Sequence, residues 1–224
     1  MPGKLIVMEG GDAAGKATQA RLLKERLERE GREAIELSFP RYNDNLVGGL
    51  IREWLDGKRG TYMNVDARVA AVVFAADRFE TKPRLTQWLE EGKTIILDRF
   101  GSASMLHQGA KETDRDDRAA TMRWIYRLEH EVFGMPVPDA LVYLDIPAAT
   151  RAKLMQQQWV DEGRRADMAE MDEAHQTRVD AIAEELLAIY PGHYRLYGMH
   201  DGELRSREDI HQEIYGHVRG ILEG

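Results

Sequence analysis

The chain has 224 residues, of which 43% are hydrophobic and 31% are charged, and its formal net charge is −8. This composition is typical of a globular protein with one sizeable α/β core or two small domains. The acidic balance disfavours a protein that coats nucleic acid, because that function needs a concentrated basic face. The sequence has no cysteine, which excludes disulfides, zinc–thiolate sites and a cysteine nucleophile and is typical of a cytosolic protein.

Apolar runs along the chain are short. Residues 1–11 contain too short an apolar run for a signal peptide. No segment reaches the roughly 18 consecutive apolar residues that a transmembrane helix needs. We therefore expect a cytoplasmic protein that neither inserts into a membrane nor binds nucleic acid.

Short apolar runs that end at turn residues predict buried strands, and longer stretches with apolar residues at helical spacing predict helices. Segment 66–80 is apolar and Ala-rich enough to be a fully internal helix, and Pro83 is expected to open another helix after it. In chain order the pattern predicts strand 4–9, helix 16–31, strand 33–39, helices 46–57, 66–80 and 83–92, strand 94–99, helix 116–133, strand 140–146, a helix from 148, a helix at about 170–189, strand 195–201 and helix 206–222.

The alternation of strands and helices predicts a three-layer α/β/α sandwich around a central parallel sheet of about five strands. In such sheets, ligands bind outside the carboxyl ends of the strands. The sequence shows no linker and no repeat, so residues 1–224 are expected to form a single domain. Within it, the polar and Gly-interrupted segment at about 156–170 is typical of a lid.

A phosphate-binding motif follows the first predicted strand. Gly10, four residues, then Gly15 and Lys16 satisfy the pattern G-x-x-x-x-G-K between a strand and a helix. Backbone N–H groups of such a loop, the following helix N-terminus and the lysine all attract phosphate oxygens. The sequence therefore predicts a P-loop NTPase-type fold with an ATP site at Gly10, Gly11, Ala13, Ala14, Gly15, Lys16, Ala17 and Thr18.

The motif departs from the usual pattern at Ala17, which lacks the hydroxyl group that commonly helps to hold Mg²⁺. Thr18 lies about 100° further round the helix and cannot take the same role without a shift. Either carboxylates and phosphates hold the metal, or the metal binds weakly. Because Mg²⁺ needs few protein ligands, Asp12 and Asp98 are sufficient candidates, with Asp98 as the tentative metal ligand.

Five motifs follow one another at compatible spacings: EGGDAAGKATQ, FPRY, FAADR, LDRF and HQGAKE. In this order they resemble the thymidylate kinase family of P-loop nucleoside monophosphate kinases, over about residues 4–215. The resemblance implies transfer of the γ-phosphoryl group of ATP to a deoxynucleoside monophosphate, in the simplest case dTMP + ATP to dTDP + ADP. It also implies Mg²⁺ as cofactor and a homodimer that packs through helices including the one near 66–80.

The resemblance assigns the residues around the reacting phosphates. Asp12 corresponds to the loop residue that contacts the substrate ribose and orients the acceptor. Arg41 matches a basic residue that faces the acceptor phosphate, and Arg99 lies near the transferred phosphate. A lid arginine, Arg164 or Arg165, supplies further positive charge in the branch of the family that lacks an arginine in the loop, as this chain does at Ala13.

The resemblance also assigns the base-binding residues. Phe74 matches the aromatic residue that stacks on the base, and Arg78 the residue that contacts the base edge. Ser104 and Gln108 lie beside the base.

Three departures from the family pattern concern selectivity and the lid. Ala103 stands where the family commonly has Ser, and His107 where many members have a Tyr that helps to exclude a ribose 2′-hydroxyl. Met168 occupies a lid position often held by Arg. His107 is expected to pack, and His175 to lie at the surface or at a helix end, because the histidines lack metal-ligand spacing.

Other functions stay open at this point. The chain could phosphorylate another pyrimidine deoxynucleotide, for example a modified one, as the changes at Ala103 and His107 allow. It could phosphorylate a deoxynucleoside, although Arg41 disfavours this. Finally, Ala17 and the atypical lid permit a catalytically silent module that only binds nucleotides.

Overall fold

Five strands form one parallel sheet, as the alternation of elements predicts. They are β1 (Lys4–Gly10), β2 (Ala34–Ser38), β3 (Thr94–Asp98), β4 (Ala140–Asp145) and β5 (His193–Tyr197). Their order is β2–β3–β1–β4–β5, and each neighbouring pair is parallel. The computed structural model describes residues 2–162 and 172–224.

Helices cover both faces of the sheet, and a short hairpin of β6 (Met199–His200) and β7 (Glu203–Leu204) precedes the last one. A 3₁₀ turn spans Tyr62–Asn64, and a π-helical segment spans Arg127–Val132. The α-helices are α1 (Lys16–Arg29), α2 (Leu46–Leu55), α3 (Ala67–Glu90), α4 (Gly101–Gly109), α5 (Arg115–Tyr126), α6 (Ala148–Glu162), α7 (Glu173–Ala181), α8 (Ala183–Leu187) and α9 (Arg207–Glu223).

Side chains of the central strand β1 alternate between two cores. Ile6 packs in a core with Leu23 of α1 and Ile214 of α9. Val7 points to the opposite face, into a core that includes Leu85 of α3. Because successive side chains of a strand face opposite sides, the apolar run of β1 holds the two helical layers on one sheet and produces the predicted sandwich.

Helix α3 continues through Pro83, so the prediction of two separate helices is wrong. A proline inside a helix costs about 3 kcal/mol because it removes one hydrogen bond and crowds the preceding turn. Fully buried residues on both sides, Ala71 and Leu85, anchor the two halves in separate cores and outweigh this cost. The helix is not fully internal, since Val69 and Val72 are 57% and 40% exposed.

The sequence pattern missed α4, which begins three residues after β3 and carries several site residues. The helix predicted at about 170–189 is interrupted at Ile182, between α7 and α8. Residues 156–162 of the predicted lid continue α6, and the rest of the lid lies outside the described residues. Within 2–162 and 172–224, none of the helices combines the length and the apolar character that a membrane span requires.

Two adjacent glycines of α2 give a test of this packing. A Cβ atom on Gly48 would lie 2.1 Å from the carbonyl oxygen of Arg41, whereas one on Gly49 would meet its nearest atom, the carbonyl oxygen of Tyr42, at 3.8 Å. We expect Gly48→Ala to lower the free energy of unfolding by about 1–3 kcal/mol, since backbone must move. Gly49→Ala should raise it by about 0.5–1 kcal/mol through helix propensity. Urea denaturation measures both, and equal effects would contradict the packing.

Candidate active site

The loop after β1 has the conformation that a phosphate cradle needs. Gly10 and Gly15 adopt positive φ angles of 140° and 90°, and Ala13 adopts a φ of 60°. A Cβ atom on Gly10 would lie 2.6 Å from the carbonyl oxygen of Leu144, so no other residue fits this approach to β4. Lys16 folds back over the loop and donates from Nζ to the carbonyl oxygens of Gly10 (3.0 Å) and Gly11 (2.8 Å).

Lys16 is buried beside a second cation. Burial lowers its pKa, and the neighbouring Arg99 lowers the pKa further, while Asp98 and Asp12 act in the opposite direction. The buried Lys16 and the partly buried Arg99, together with the N-terminus of α1, form a site that favours anions.

A cavity of about 520 Å³ lies along this loop. Its far end is formed by Leu204 of β7, by Arg205 and by Arg207 at the start of α9. Six of the predicted ATP-binding residues line it: Ala13, Ala14, Gly15, Lys16, Ala17 and Thr18. The other two, Gly10 and Gly11, accept hydrogen bonds from Nζ of Lys16 through their carbonyl oxygens. We call this space the donor cavity.

A second cavity, of about 320 Å³, opens on the other side of the β1 loop; we call it the acceptor cavity. Residues from the segment after β2 and from helices α2, α3 and α4 line it. They include Phe39, Pro40, Tyr42, Arg52, Leu55, Tyr62, Phe74, Arg78, Ala103, Ser104, His107 and Gln108.

The two cavities share Asp12, Asp98 and Arg99. This contact point follows from the sheet, since Met8 of β1 and Asp98 of β3 are paired residues at the ends of neighbouring parallel strands. Ligands that fill both cavities therefore meet at one carboxyl edge, where two carboxylates and a guanidinium surround them.

An ion pair joins Arg99 to Asp12 across this contact point. Arg99 adopts a left-handed φ of 67°, which is uncommon for a residue other than glycine and turns the chain sharply after β3. Burial alone would raise the pKa of Asp12, but Arg99 and then Lys16 hold that pKa well below its usual range. The carboxylate therefore stays charged at neutral pH and holds the guanidinium in place.

Asp98 is the carboxylate best suited to a metal ion. Its Oδ1 atom is buried and has no hydrogen-bond partner among the described residues, and the side chain faces both cavities. In residues 2–162 and 172–224 no cluster of three or more metal-ligating side chains occurs. Asp98 could hold a cation such as Mg²⁺, which needs few protein ligands.

Arg78 lies fully buried at the far end of the acceptor cavity. It donates from Nε to both carboxylate oxygens of Glu129 (2.9 and 3.1 Å) and from Nη2 to Oγ of Ser104 (2.8 Å). Glu129 lies in the π-helical segment and is fully buried too. Glu129 therefore neutralises the charge of Arg78, while guanidinium N–H groups of Arg78 still line the cavity.

The remaining predicted base contacts lie together on the same wall. Gln108 donates from Nε2 to the hydroxyl of Tyr62 (2.6 Å), and its buried Oε1 has no partner among the described residues. Phe74 packs edge-on against the Tyr62 ring, with centroids 5.9 Å apart. The acceptor cavity is therefore lined by all four predicted base-binding residues: Phe74, Arg78, Ser104 and Gln108.

One predicted cation, Arg41, is not brought to this space. Arg41 donates from Nη2 to Asp44 (2.7 Å) and does not line either cavity, whereas Arg52 of α2 does line the acceptor cavity. The predicted lid arginines Arg164 and Arg165, and Met168 beside them, lie outside the described residues.

Several supporting residues escaped the sequence analysis because their partners are distant in the chain. Arg151 of α6 is buried and donates from Nη1 to the carbonyl oxygen of Asp12 (3.1 Å). Gln176 of α7 donates to Oδ2 of Asp12 (2.7 Å), and His175, expected at the surface or a helix end, is fully buried. A polar residue on the apolar side of a predicted helix could have indicated these positions, because burying a polar group is costly unless it has a hydrogen-bond partner.

The P-loop, the parallel sheet and the two joined cavities together define a P-loop phosphotransferase that acts between two nucleotides. A family model described as thymidylate kinase matches residues 8–214. The chain therefore belongs to the thymidylate kinase family. It is accordingly a nucleoside monophosphate kinase, and the reaction of this family is the ATP-dependent phosphorylation of dTMP to dTDP.

Individual relatives agree with the family model. The probable thymidylate kinase of Pyrococcus horikoshii is 31% identical over 236 aligned residues, which cover 100% of both chains. The thymidylate kinase of Homo sapiens is 32% identical over 151 residues, 67% of this chain and 65% of that protein. A solved structure of thymidylate kinase from Candida albicans has a TM-score of 0.71 at 22% identity, covering 98% of this chain and 92% of that one, and shows the same fold.

The buried Arg78–Glu129 pair yields a stability prediction. Glu129→Gln leaves a buried guanidinium without its counter-charge, so we expect the free energy of unfolding to fall by about 3–5 kcal/mol. The control is Glu131→Gln, which removes the partner of Arg127 in a pair whose side chains are 56% and 70% exposed. It should change stability by no more than about 0.5 kcal/mol. Urea denaturation would refute the account if Glu129→Gln matched its control.

Proposed function

We propose that this chain transfers the γ-phosphoryl group of ATP to dTMP, with ATP in the donor cavity and dTMP in the acceptor cavity. The observation that supports this most is the meeting of the two cavities at Asp12, Asp98 and Arg99. Two nucleotides that enter from opposite sides place their phosphates end to end there. In-line placement and surrounding positive charge are the main requirements of phosphoryl transfer.

The phosphates of ATP lie on the β1 loop in this proposal. Backbone N–H groups of residues 13–18 and Nζ of Lys16 bind the β- and γ-phosphates, and Lys16 exchanges its contacts with Gly10 and Gly11 for phosphate oxygens. The adenine lies toward Leu204 and Arg205, at the far end of the donor cavity.

The thymine base lies between Phe74 and the wall formed by α4. Thymine presents a C4 carbonyl acceptor beside an N3–H donor, whereas cytosine presents the reverse pattern. The buried Oε1 of Gln108 is an acceptor suited to the N3–H group, and the guanidinium of Arg78 is a donor suited to the C4 carbonyl. Ser104 supports the guanidinium, and Ala103 leaves space next to the base.

The acceptor phosphate lies between Arg99 and the side chains of Arg52 and Tyr42. It is already ionised, so no strong general base is needed, and the cations reduce repulsion from ATP. Asp12 keeps Arg99 in place and faces the acceptor sugar. A lid arginine, Arg164 or Arg165, completes the positive charge around the transferred group and helps to exclude water.

Mg²⁺ fits this site through Asp98, with no hydroxyl needed at position 17. The ion would supply positive charge that offsets the charge of the ATP phosphates. The protein contributes one carboxylate whose buried oxygen has no partner among the described residues.

A homodimer through α2 and α3 completes the proposal. Both helices carry exposed apolar side chains at helical spacing: Leu46 and Leu50 on α2, and Val69 and Val72 on α3. Burying these side chains against a second copy removes apolar surface from water and supports association.

The function is tested with a panel of monophosphates. With ATP and Mg²⁺, we expect dTMP to be a better acceptor by kcat/KM than dCMP, dUMP or dGMP, and thymidine to be inert. Lys16→Ala should lower kcat/KM by at least about 100-fold, because one preorganised cation is lost. Equal use of dCMP would favour a kinase for another pyrimidine nucleotide. Nucleotide binding without transfer to any acceptor would favour a silent module.

A second comparison decides which arginine binds the acceptor phosphate. Arg52 lines the acceptor cavity, whereas Arg41 is bonded to Asp44. We expect Arg52→Gln to raise KM for dTMP by at least about fivefold, as the loss of a charge-assisted contact does. Arg41→Gln should raise it less than about twofold by the same reasoning. The reverse order in steady-state assays would restore Arg41 to the acceptor site.

A further inference from the structure

Two histidines extend from the contact point of the cavities into the protein. Nη1 of Arg99 lies 3.1 Å from Nε2 of His107, and Nδ1 of His107 lies 3.3 Å from Nε2 of His175. His107 belongs to α4 and lines the acceptor cavity, while His175 belongs to α7 and is fully buried. The chain of contacts therefore runs from Arg99 to a helix that follows the lid segment.

The direction of each hydrogen bond in this chain is fixed by chemistry. A guanidinium group has only donors, so Nε2 of His107 must accept from Arg99. A neutral imidazole carries one proton, which must then lie on Nδ1 of His107 and be donated to Nε2 of His175. The proton of His175 lies in turn on its Nδ1, which is buried and has no partner among the described residues.

The surroundings keep both rings neutral. Burial and then Arg99 lower the pKa of His107 to about 3, and burial and then Arg178 lower the pKa of His175 to about 4. Protonation of His107 at Nε2 would place an N–H group against the N–H group of Arg99, and protonation of His175 at Nε2 would place one against Nδ1–H of His107. Either change would break a hydrogen bond of the chain. At neutral pH the order of donors and acceptors is therefore the one derived above.

The residue next to His175 holds the other half of the ion pair. Gln176 donates from Nε2 to Oδ2 of Asp12 at 2.7 Å, while Oδ1 of Asp12 accepts from Nη2 of Arg99. At the start of α7, Gln176 thus contacts Asp12 directly, and its neighbour His175 contacts Arg99 through His107. The orientation of the Arg99 guanidinium depends on all of these contacts.

We propose that His107 and His175 are positioning residues, which hold the Arg99 guanidinium where the two cavities meet by a hydrogen-bond chain of fixed direction. The inference rests on the proposed function only in that Arg99 then acts on the transferred phosphoryl group. No contact between His175 and substrate is involved, since this side chain is fully buried and acts through His107.

The first test is spectroscopic and needs no substrate. Long-range ¹H–¹⁵N correlation spectra of the full chain, labelled at histidine nitrogen, should show His107 and His175 as neutral Nδ1–H tautomers at pH 7. The Nη signals of Arg99 should be resolved by hindered rotation in the wild type and averaged in His175→Phe. A proton on Nε2 of His107 would overturn the proposal, as would unchanged Arg99 signals in the variant.

The second test is kinetic and uses matched variants. His175→Phe removes the acceptor, and we expect kcat to fall about five- to tenfold with KM for ATP unchanged, the size expected for one lost hydrogen bond. His175→Gln places an amide oxygen near the position of Nε2 and should restore kcat to within about twofold of wild type. His200→Phe, at a side chain that is 81% exposed, is the control and should leave kcat unchanged. Equal losses in His175→Phe and His175→Gln would indicate a merely structural role and overturn the proposal.

The two proposals fail in distinguishable ways. If the wild-type chain transfers no phosphate to dTMP, the proposed function fails, yet the tautomer and Arg99 spectra still decide the hydrogen-bond chain. If the wild type is active and the spectra show the opposite tautomer, only the positioning role fails. Should His175→Phe not fold, His107→Phe tests the same link from the other ring. If the Arg99 Nη signals stay resolved in His107→Phe, as in the wild type, the proposal is overturned.

Discussion

The parallel pairing of β1 with β3 is the constraint on which the site depends. It sets Met8 level with Asp98, so the phosphate loop and the Asp98–Arg99 turn emerge side by side from the middle of the sheet. Lys16, Asp12 and Arg99 gather at that edge, and helices α1 and α4 begin just beyond it. The apolar strands supply a rigid base, and the partly buried ion pair of Arg99 with Asp12 joins the two turns across it.

Charge in the site is balanced in two different ways. At the contact point, the cations Lys16 and Arg99 face the carboxylates of Asp12 and Asp98, and Asp98 keeps an oxygen without a partner among the described residues. At the other end of the acceptor cavity, Glu129 balances Arg78 completely.

The sequence predicted the sheet and the phosphate loop well, because both are local signals: continuous apolar runs, and glycines at fixed spacing before a lysine. It failed at Pro83, where tertiary burial of α3 outweighs an intrinsic preference, and at α4, whose Gly- and Ser-rich start hides a helix. The contacts of Arg78 with Glu129 and of Asp12 with Gln176 join residues 51 and 164 positions apart, respectively, which periodicity cannot detect. The ion pair of Arg41 with Asp44 was likewise not predicted, since a motif names a residue but not its partner.

The π-helical segment at Arg127–Val132 has a consequence for how this chain can vary in length. A π turn accommodates one residue more than an α turn, and here that extra residue brings Glu129 against Arg78. Removing a single residue from the segment would restore regular helix and rotate the side chains beyond it by about 100°. The Glu129 carboxylate would then leave Arg78, so the number of residues between α5 and β4 decides whether the buried guanidinium keeps its counter-charge.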